Sequence, residues 1–370
     1  MKFSYWENKT WLSNIDFVIV GSGIVGLNCA LELRLKHPKS KIVVLEKGLV
    51  PYGASTRNAG FACFGSLTEI LSDLDSHSSL EVYELIKKRV SGLRRLRNLL
   101  GDKQIKYKQL GGNEIFVEND TEKLHQSLAK MNEINDLIEP LFNDKVFKLS
   151  RNTFNFKNTL DEIIFNKFEG QIDTGEMMDS LLNKVFKSNI KVINNVSVEN
   201  YEDTGSSVQV CTDQFSLSCN KLFIATNGFS ETIIKQKVVP ARAQVLITKP
   251  IKNLSAIGTF HLEQGYYYFR NIDDRILLGG GRNLDFQAEN TSEFGITDSI
   301  QSKLEQLLTD VILPETNFEI DQRWSGIMGI GNKKTTITKQ LSNNVYCGVR
   351  LGGMGVAIGT NIGAELANLI

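Results

Sequence analysis

Several ingredients are scarce in this 370-residue chain. Five cysteines (Cys29, Cys63, Cys211, Cys219 and Cys347) are scattered singly, with no C-x-x-C pair. That spacing argues against a disulfide scaffold and a structural zinc site, and suits reduced, buried thiols in a reducing compartment. Net charge is absent: 42 Lys+Arg balance 42 Asp+Glu, which leaves no long-range field for a polyanion. The densest basic segment, Lys87 to Arg97, is spaced between apolar residues like one solvated helix face, so no nucleic-acid partner is expected. Histidine is rarer still. His37, His77, His125 and His261 form no H-x-x-x-H pattern and no carboxylates stand at ligand spacing, so no metal is expected. Long apolar runs are missing too. Phe17 to Leu27 is broken by three glycines and falls well short of the roughly 20 residues that span a bilayer. The first 16 residues carry Glu7 and Asp16 without a continuous apolar stretch, unlike a signal peptide, so the expectation is a soluble cytoplasmic protein with no transmembrane segment.

What is present is most legible near the N-terminus. Phe17-Val18-Ile19-Val20 is a short apolar run ending in glycine, which suits a strand buried on both faces of a parallel sheet. Gly21-Ser22-Gly23-Ile24-Val25-Gly26 follows, then helical spacing from Leu27 to Leu35, a stop at Pro38, and a second buried strand from Lys41 to Leu45 ending at Glu46. This βαβ unit with G-x-G-x-x-G is built for a dinucleotide. Gly21 makes the tight turn, Gly23 lets backbone approach a pyrophosphate, and Gly26 lets helix and strand pack closely. The helix N-terminus offers N–H groups to phosphate, and Glu46 can accept from ribose hydroxyls.

Further apolar runs at 190–198, 221–228 and 344–348 read as strands, with helical spacing at 176–188 and 356–370. Residues 69–100 and 121–141 read as helices around a strand at 112–118, residues 238–281 as β-rich with a hairpin turn at Asp273-Asp274, and 292–308 as helical. The fold class expected is α/β with an α+β second domain. A Rossmann-like nucleotide-binding domain with a parallel sheet (1–75, 170–235 and 322–370) is expected to interleave with an antiparallel-sheet second domain (76–169 and 236–321), which the resemblance given next makes the FAD-binding and substrate domains.

The ordered set FVIVGSGIVGLNCALEL, VVLEKG, GASTRNAG (53–60), LFIATNG (222–228), PARAQ (240–244), YYYFRNIDDRILLGG (266–280), RWSGIMGIG and NNVYCGVRLGGMGVAIGTNIG resembles the D-amino-acid oxidase family of FAD-dependent oxidoreductases. The chain looks most like glycine and sarcosine oxidases and the gamma-glutamylputrescine oxidoreductase group. The resemblance implies that Gly21, Gly23 and Gly26 hold the FAD pyrophosphate and Glu46 the adenosine ribose. Ser55, Arg57, Asn58, Ala59 and Gly60 would line the pyrophosphate and the near side of the flavin, Val196 the adenine side, and Gly228 would belong to the same site. Gly352, Gly353, Met354, Gly355 and Val356 would lie along the pyrimidine edge, where a helix N-terminus suits the negative charge of reduced flavin. Two departures concern the substrate. Met328 stands where glycine oxidase-like members carry a carboxylate-clamping arginine. Met354 replaces a histidine common in sarcosine oxidase-like members. No cysteine lies around Met328, so FAD is expected to be non-covalent.

A strand period of two places Tyr266, Tyr268 and Arg270 on one face as candidates for orienting substrate. His261 lies nearby as a further pocket candidate, while Arg242 and Gln244 read as structural. The implied reaction is oxidation of the CH–N bond of an amine or amino acid by hydride transfer to flavin N5. The imine would then hydrolyse, and oxygen or another acceptor would reoxidise the flavin. Oxidation of a 2-hydroxy acid, or a flavin that is structural or inactive, stays open on the sequence alone.

Overall fold

The computed structural model describes residues 2–370; Met1, where the first expected segment begins, lies outside them. Two eight-stranded sheets carry the chain. In the first, the strands run in the order Ile337–Ser342, Val345–Val349, Ser216–Ile224, Ile15–Val20, Ile42–Leu45, Lys191–Ile193. The last five of these are parallel, with Val18 opposite both Val43 and Leu222. An antiparallel hairpin, Val198–Asp203 and Val208–Thr212, extends the early half of Ser216–Ile224.

Strand alternation divides the buried residues of this sheet between two cores. Phe17, Ile19, Ile42 and Val44 face the helices Ile24–Lys36, Thr174–Lys187 and Gly355–Ala367. Val18, Val20, Val43 and Leu45 face the hairpin and the segment around Ile234 and Val238. The helix of the βαβ unit starts at Ile24, earlier than its apolar spacing implied, because Gly23 serves as its N-cap.

The second sheet runs Ile320–Ile330, Val239–Thr248, Arg275–Gly280, Tyr267–Ile272, Thr259–Leu262, Gly112–Glu114, Glu162–Asn166, Phe147–Arg151. All its neighbours are antiparallel except Thr259–Leu262 beside Gly112–Glu114. One face packs Tyr267, Phe269, Phe260 and Leu278 under the helix Asp298–Leu307, with the Phe260 and Phe269 rings stacked at 4.5 Å. Val245, Leu277 and Tyr268 on the other face meet Ala59, Phe61 and Trp324. That second contact brings the sheet over the loop that follows the nucleotide-type βαβ unit.

Three expectations change. The helix read across 69–100 is two helices, Leu67–Leu74 and Ser79–Leu100, each opened by its own capping box (Ser66 with Glu69, Ser78 with Glu81). The expected strand at 112–118 is cut to Gly112–Glu114: Ile115 N still donates to His261 O at 2.9 Å, but Phe116 O accepts from Leu160 N at 2.8 Å, outside the sheet, and the chain passes into the turn Glu118–Asp120. The sheets also divide the chain differently from the expected boundaries. Strand Ile320–Ile330 crosses residue 322 and pairs with Val239–Thr248 over its whole length. Helix Ser79–Leu100, placed by sequence with the second domain, lies so close on Gly355–Ala367 that a Cβ at Gly92 would sit 2.0 Å from the Ala357 carbonyl oxygen.

Candidate active site

A cavity of about 840 Å³ opens between the two sheets. Its walls come from strand ends of the first sheet (Val20, Leu45, Ala225), the 53–60 loop, and the second sheet (Val245, His261, Tyr268, Met328). Every residue expected at a cofactor lines it except Gly26. Gly26 instead sits behind Gly21, where a Cβ would lie 1.9 Å from the Gly21 carbonyl oxygen, so its task is the close approach of helix and strand.

At the nucleotide end, the strand Ile42–Leu45 delivers Glu46. Its carboxylate is buried and held by Ser22 N at 2.9 Å, Ser22 Oγ at 2.6 Å and Gly48 N at 2.9 Å. Ser55 Oγ accepts from Ile24 N at 3.0 Å and so ties the 53–60 loop to the helix N-terminus. Asn58 braces the loop internally: Oδ1 accepts from Gly60 N at 2.9 Å and Thr174 Oγ1 at 3.0 Å, and Nδ2 donates to Ser55 O at 2.9 Å. Arg57 stacks on Phe294 and Tyr52, 4.3 and 5.0 Å from the ring centroids, and donates to Ser325 O at 3.1 Å. Trp324 Nε1 returns a bond to Arg57 O at 3.0 Å.

The glycine turn before the C-terminal helix leaves room. Gly352 has φ +59°, and a Cβ there would meet nothing within 4 Å; one at Gly353 would meet only Met328 Sδ at 3.9 Å. Met354 N-caps the helix Gly355–Ala367 without a side-chain hydrogen bond. Free backbone N–H groups and the positive end of the helix dipole therefore border open cavity, which suits an anionic or electron-rich ring edge.

The three substrate candidates separate. Tyr268 lines the cavity against the Phe61 ring at 5.5 Å, and burial pushes its phenol up to about 12. Tyr266 also lines it, but it precedes the strand as the cap of the turn Glu263–Gly265 and is 42% exposed. Arg270 does not line the cavity: it shares the Tyr268 face further along the strand, 2% exposed, with its guanidinium packed behind Gly60. Burial lowers it to about 10. Arg242 and Gln244 both donate to the buried Glu289, Arg242 through two bonds of 2.9 and 2.8 Å.

His261, the further pocket candidate, and residues that the sequence did not single out complete the pocket under the second sheet. His261 lines it, with Nε2 2.6 Å from Glu169 Oε1, which also accepts from Thr259 Oγ1 at 2.7 Å. Burial alone would lower the imidazole, but the Glu169 charge and hydrogen bond raise it to about 9. Glu69 and Cys63 line the same region. Burial, with the charges of Glu169 and Glu69, pushes the Cys63 thiol well above its usual range. Glu114 is buried beside them, accepting from Ser66 Oγ at 2.7 Å and from Thr68, and burial raises its carboxyl. Arg89 corrects the reading of Lys87 to Arg97 as a solvated face: it is 5% exposed, donates to Phe64 O at 2.8 Å and borders the cavity. A charge inside the largely apolar stretch GNEIFVE was the one sequence signal for Glu114, and no comparable signal marked Glu169.

A family model described as FAD dependent oxidoreductase, DAO, matches residues 16–369. The chain belongs to the DAO family. This DAO-family chain is 23% identical over 400 residues to the probable oxidoreductase OrdL of Haemophilus influenzae, covering 98% of this chain and 84% of that protein. Glycine oxidase from Geobacillus kaustophilus superposes with a TM-score of 0.76 at 15% identity, over 96% of this chain and 94% of that one. L-Proline dehydrogenase from P. horikoshii gives 0.73 at 17% identity, over 96% and 93%. At these identities the structures establish the fold. The DAO family's FAD fits the residues present, since the side-chain-free turn at 352–353 and the helix N-terminus at Gly23 border one continuous cavity. Among the described residues no group of three or more His, Cys, Asp or Glu could hold a metal, and no helix is long and apolar enough to cross a membrane.

Proposed function

We propose that this protein binds FAD non-covalently in the cavity and oxidises the CH–N bond of an amine or amino acid. The observation that carries the reading is the continuity of the cavity, from the phosphate-type donors near Gly23 to an aromatic and thioether pocket formed by Phe61, Tyr268, Met328 and Met354. Gly21, Gly23 and Ser55 would hold the pyrophosphate, Glu46 and Val196 the adenosine, and the 57–60 loop with Gly352–Val356 the flavin ring. When bound, FAD supplies the hydride acceptor at N5. The pocket's own part is to place the substrate carbon and exclude water, which the packed rings of Phe61 and Tyr268 would do from one wall. Imine hydrolysis to a carbonyl compound and an amine needs only water. Oxygen or another acceptor would then take the electrons.

Non-covalent attachment is supported by Cys63, the cavity-lining thiol, which burial keeps protonated and so poorly nucleophilic. We also assign the first sheet and its helices to the cofactor and the second sheet to the substrate, with strand 320–330 on the substrate side. The test is anaerobic mixing of the purified yellow protein with amines, amino acids and 2-hydroxy acids while flavin absorbance is followed. Bleaching by a CH–N substrate is expected. Bleaching by hydroxy acids alone, or only by dithionite, overturns the reading, and protein that cannot be loaded with FAD removes its basis.

A further inference from the structure

We propose that His261 and Arg89 form an anion subsite for the substrate carboxylate, which makes the substrate an amino acid rather than a simple amine. The proposal rests on the CH–N reading above.

Strand Ile320–Ile330 gives the cavity Gly326, Ile327, Met328 and Ile330, none of them charged. An anionic group on the substrate must therefore find its donors elsewhere. Most cations at the cavity are already engaged. Arg57 is stacked on aromatics, Lys334 pairs with Asp73, Arg350 donates to Thr335 O at 2.8 Å, and Arg282 donates to Asn290 Oδ1 at 2.6 Å.

His261 and Arg89 differ: both are 5% exposed, both line the cavity, and both keep donors in hand. Glu169 occupies Nε2 of His261, which leaves Nδ1 with no partner among the described residues. The same carboxylate holds the imidazole in its protonated form, so Nδ1 carries a hydrogen to donate. Arg89 spends Nη1 on Phe64 O and keeps Nε enclosed by protein, while no hydrogen bond among the described residues engages Nη2. Nη2 is therefore the guanidinium donor left for a ligand at the cavity.

The two groups flank one short segment. The His261 ring lies 5.4 Å from the Phe61 ring, Arg89 grips Phe64, and Cys63 between them borders the cavity. Glu69 also borders this region, and its Oε1 accepts no hydrogen bond among the described residues. Donors beside an acceptor suit a ligand bearing both a carboxylate and an amino nitrogen.

The experiment titrates FAD-loaded protein with acetate and with acetamide, its neutral isostere, by calorimetry and by perturbation of flavin absorbance. Acetate is expected to bind at least about tenfold more tightly than acetamide. His261→Gln and Arg89→Gln should each weaken acetate by about ten- to hundredfold with acetamide unchanged, and Arg89→Lys should restore part of the loss. If His261→Gln fails to fold because Glu169 is left unpaired, the Arg89 variants and the 15N shift of the His261 imidazole on acetate addition to the native protein still decide. With an amino acid substrate, KM should rise in Arg89→Gln while kcat holds. Equal affinity for acetate and acetamide, or acetate binding unchanged in both Gln variants, overturns the subsite. A protein that binds acetate as described but is bleached by no amino acid or amine leaves the subsite standing and sinks the CH–N reading instead.

Discussion

His261 and Glu169 are 92 residues apart in the chain and 2.6 Å apart in the fold. The pair makes stability depend on pH. Its folded-state value of about 9 lies above the usual 6.5, so the stabilisation is complete below the usual value and is lost as pH rises through about 9. Glu169, Glu69 and Glu114 all face the imidazole and favour its charged form, while burial opposes it. The denaturant midpoint should therefore fall between neutral pH and pH 9 in the native protein and stay flat in His261→Gln. A second residue-scale prediction concerns Glu289, which accepts four hydrogen bonds from Arg242, Gln244 and Thr297. Arg242→Met leaves that carboxylate buried and short of its cation, and should cost about 3 kcal/mol by urea unfolding while flavin spectra are retained. Acid precipitation of the loaded protein should release the flavin to the supernatant, and flavin that stays with the pellet would contradict the reading of Cys63. The turns and strand ends that bring Gly21, Gly23, Glu46 and Gly352 to the cavity were legible because their local sequence dictates the backbone. Arg89 was not, because helical spacing says which face it shares but not that Phe64 and the cavity meet that face.

Elements follow their local chemistry closely. Ser66-x-x-Glu69 and Ser78-x-x-Glu81 each open a helix, so the break between Leu74 and Ser79 was written in two capping boxes that periodicity alone bridged over. Ser78→Ala should cost about 1 kcal/mol of stability without touching cofactor affinity. Asp273 and Asp274 form the hairpin turn with φ of 47° and 58°, the left-handed pair that a two-residue turn requires. Asp274→Gly should raise stability by about 0.5–1 kcal/mol, seen as a higher Tm, since glycine adopts that conformation without strain. Tyr266 shows the opposite case. Alternation placed it on the strand, but the turn Glu263–Gly265 ends on it, so it stands half exposed at the cavity rim. The short strands Phe147–Arg151 and Glu162–Asn166 went unread because their alternation is weak and their pairing is what stabilises them.

Across the whole molecule, both ends of the chain build the first sheet and its helix layer. Strand Val345–Val349 pairs with Ser216–Ile224, and helix Gly355–Ala367 fills the space between Ile24–Lys36 and Ser79–Leu100. A chain ending before Gly352 should lose that layer and with it flavin binding, and tight FAD binding by such a truncation would contradict the layout. Gly26→Ala, whose Cβ meets the Gly21 carbonyl, should likewise lose flavin absorbance on purification. By itself the sequence determined the βαβ unit, its glycines, Glu46 and the mixed α/β class, because turns, caps and apolar periods act over a few residues. Only the tertiary structure decided that strand 320–330 joins the second sheet, that Arg270 lies behind Gly60, and that His261, Glu69 and Arg89 share one pocket with Glu169 bonded behind His261. Those are contacts between segments far apart in the chain, and they are chosen by burial and charge pairing that no local pattern records.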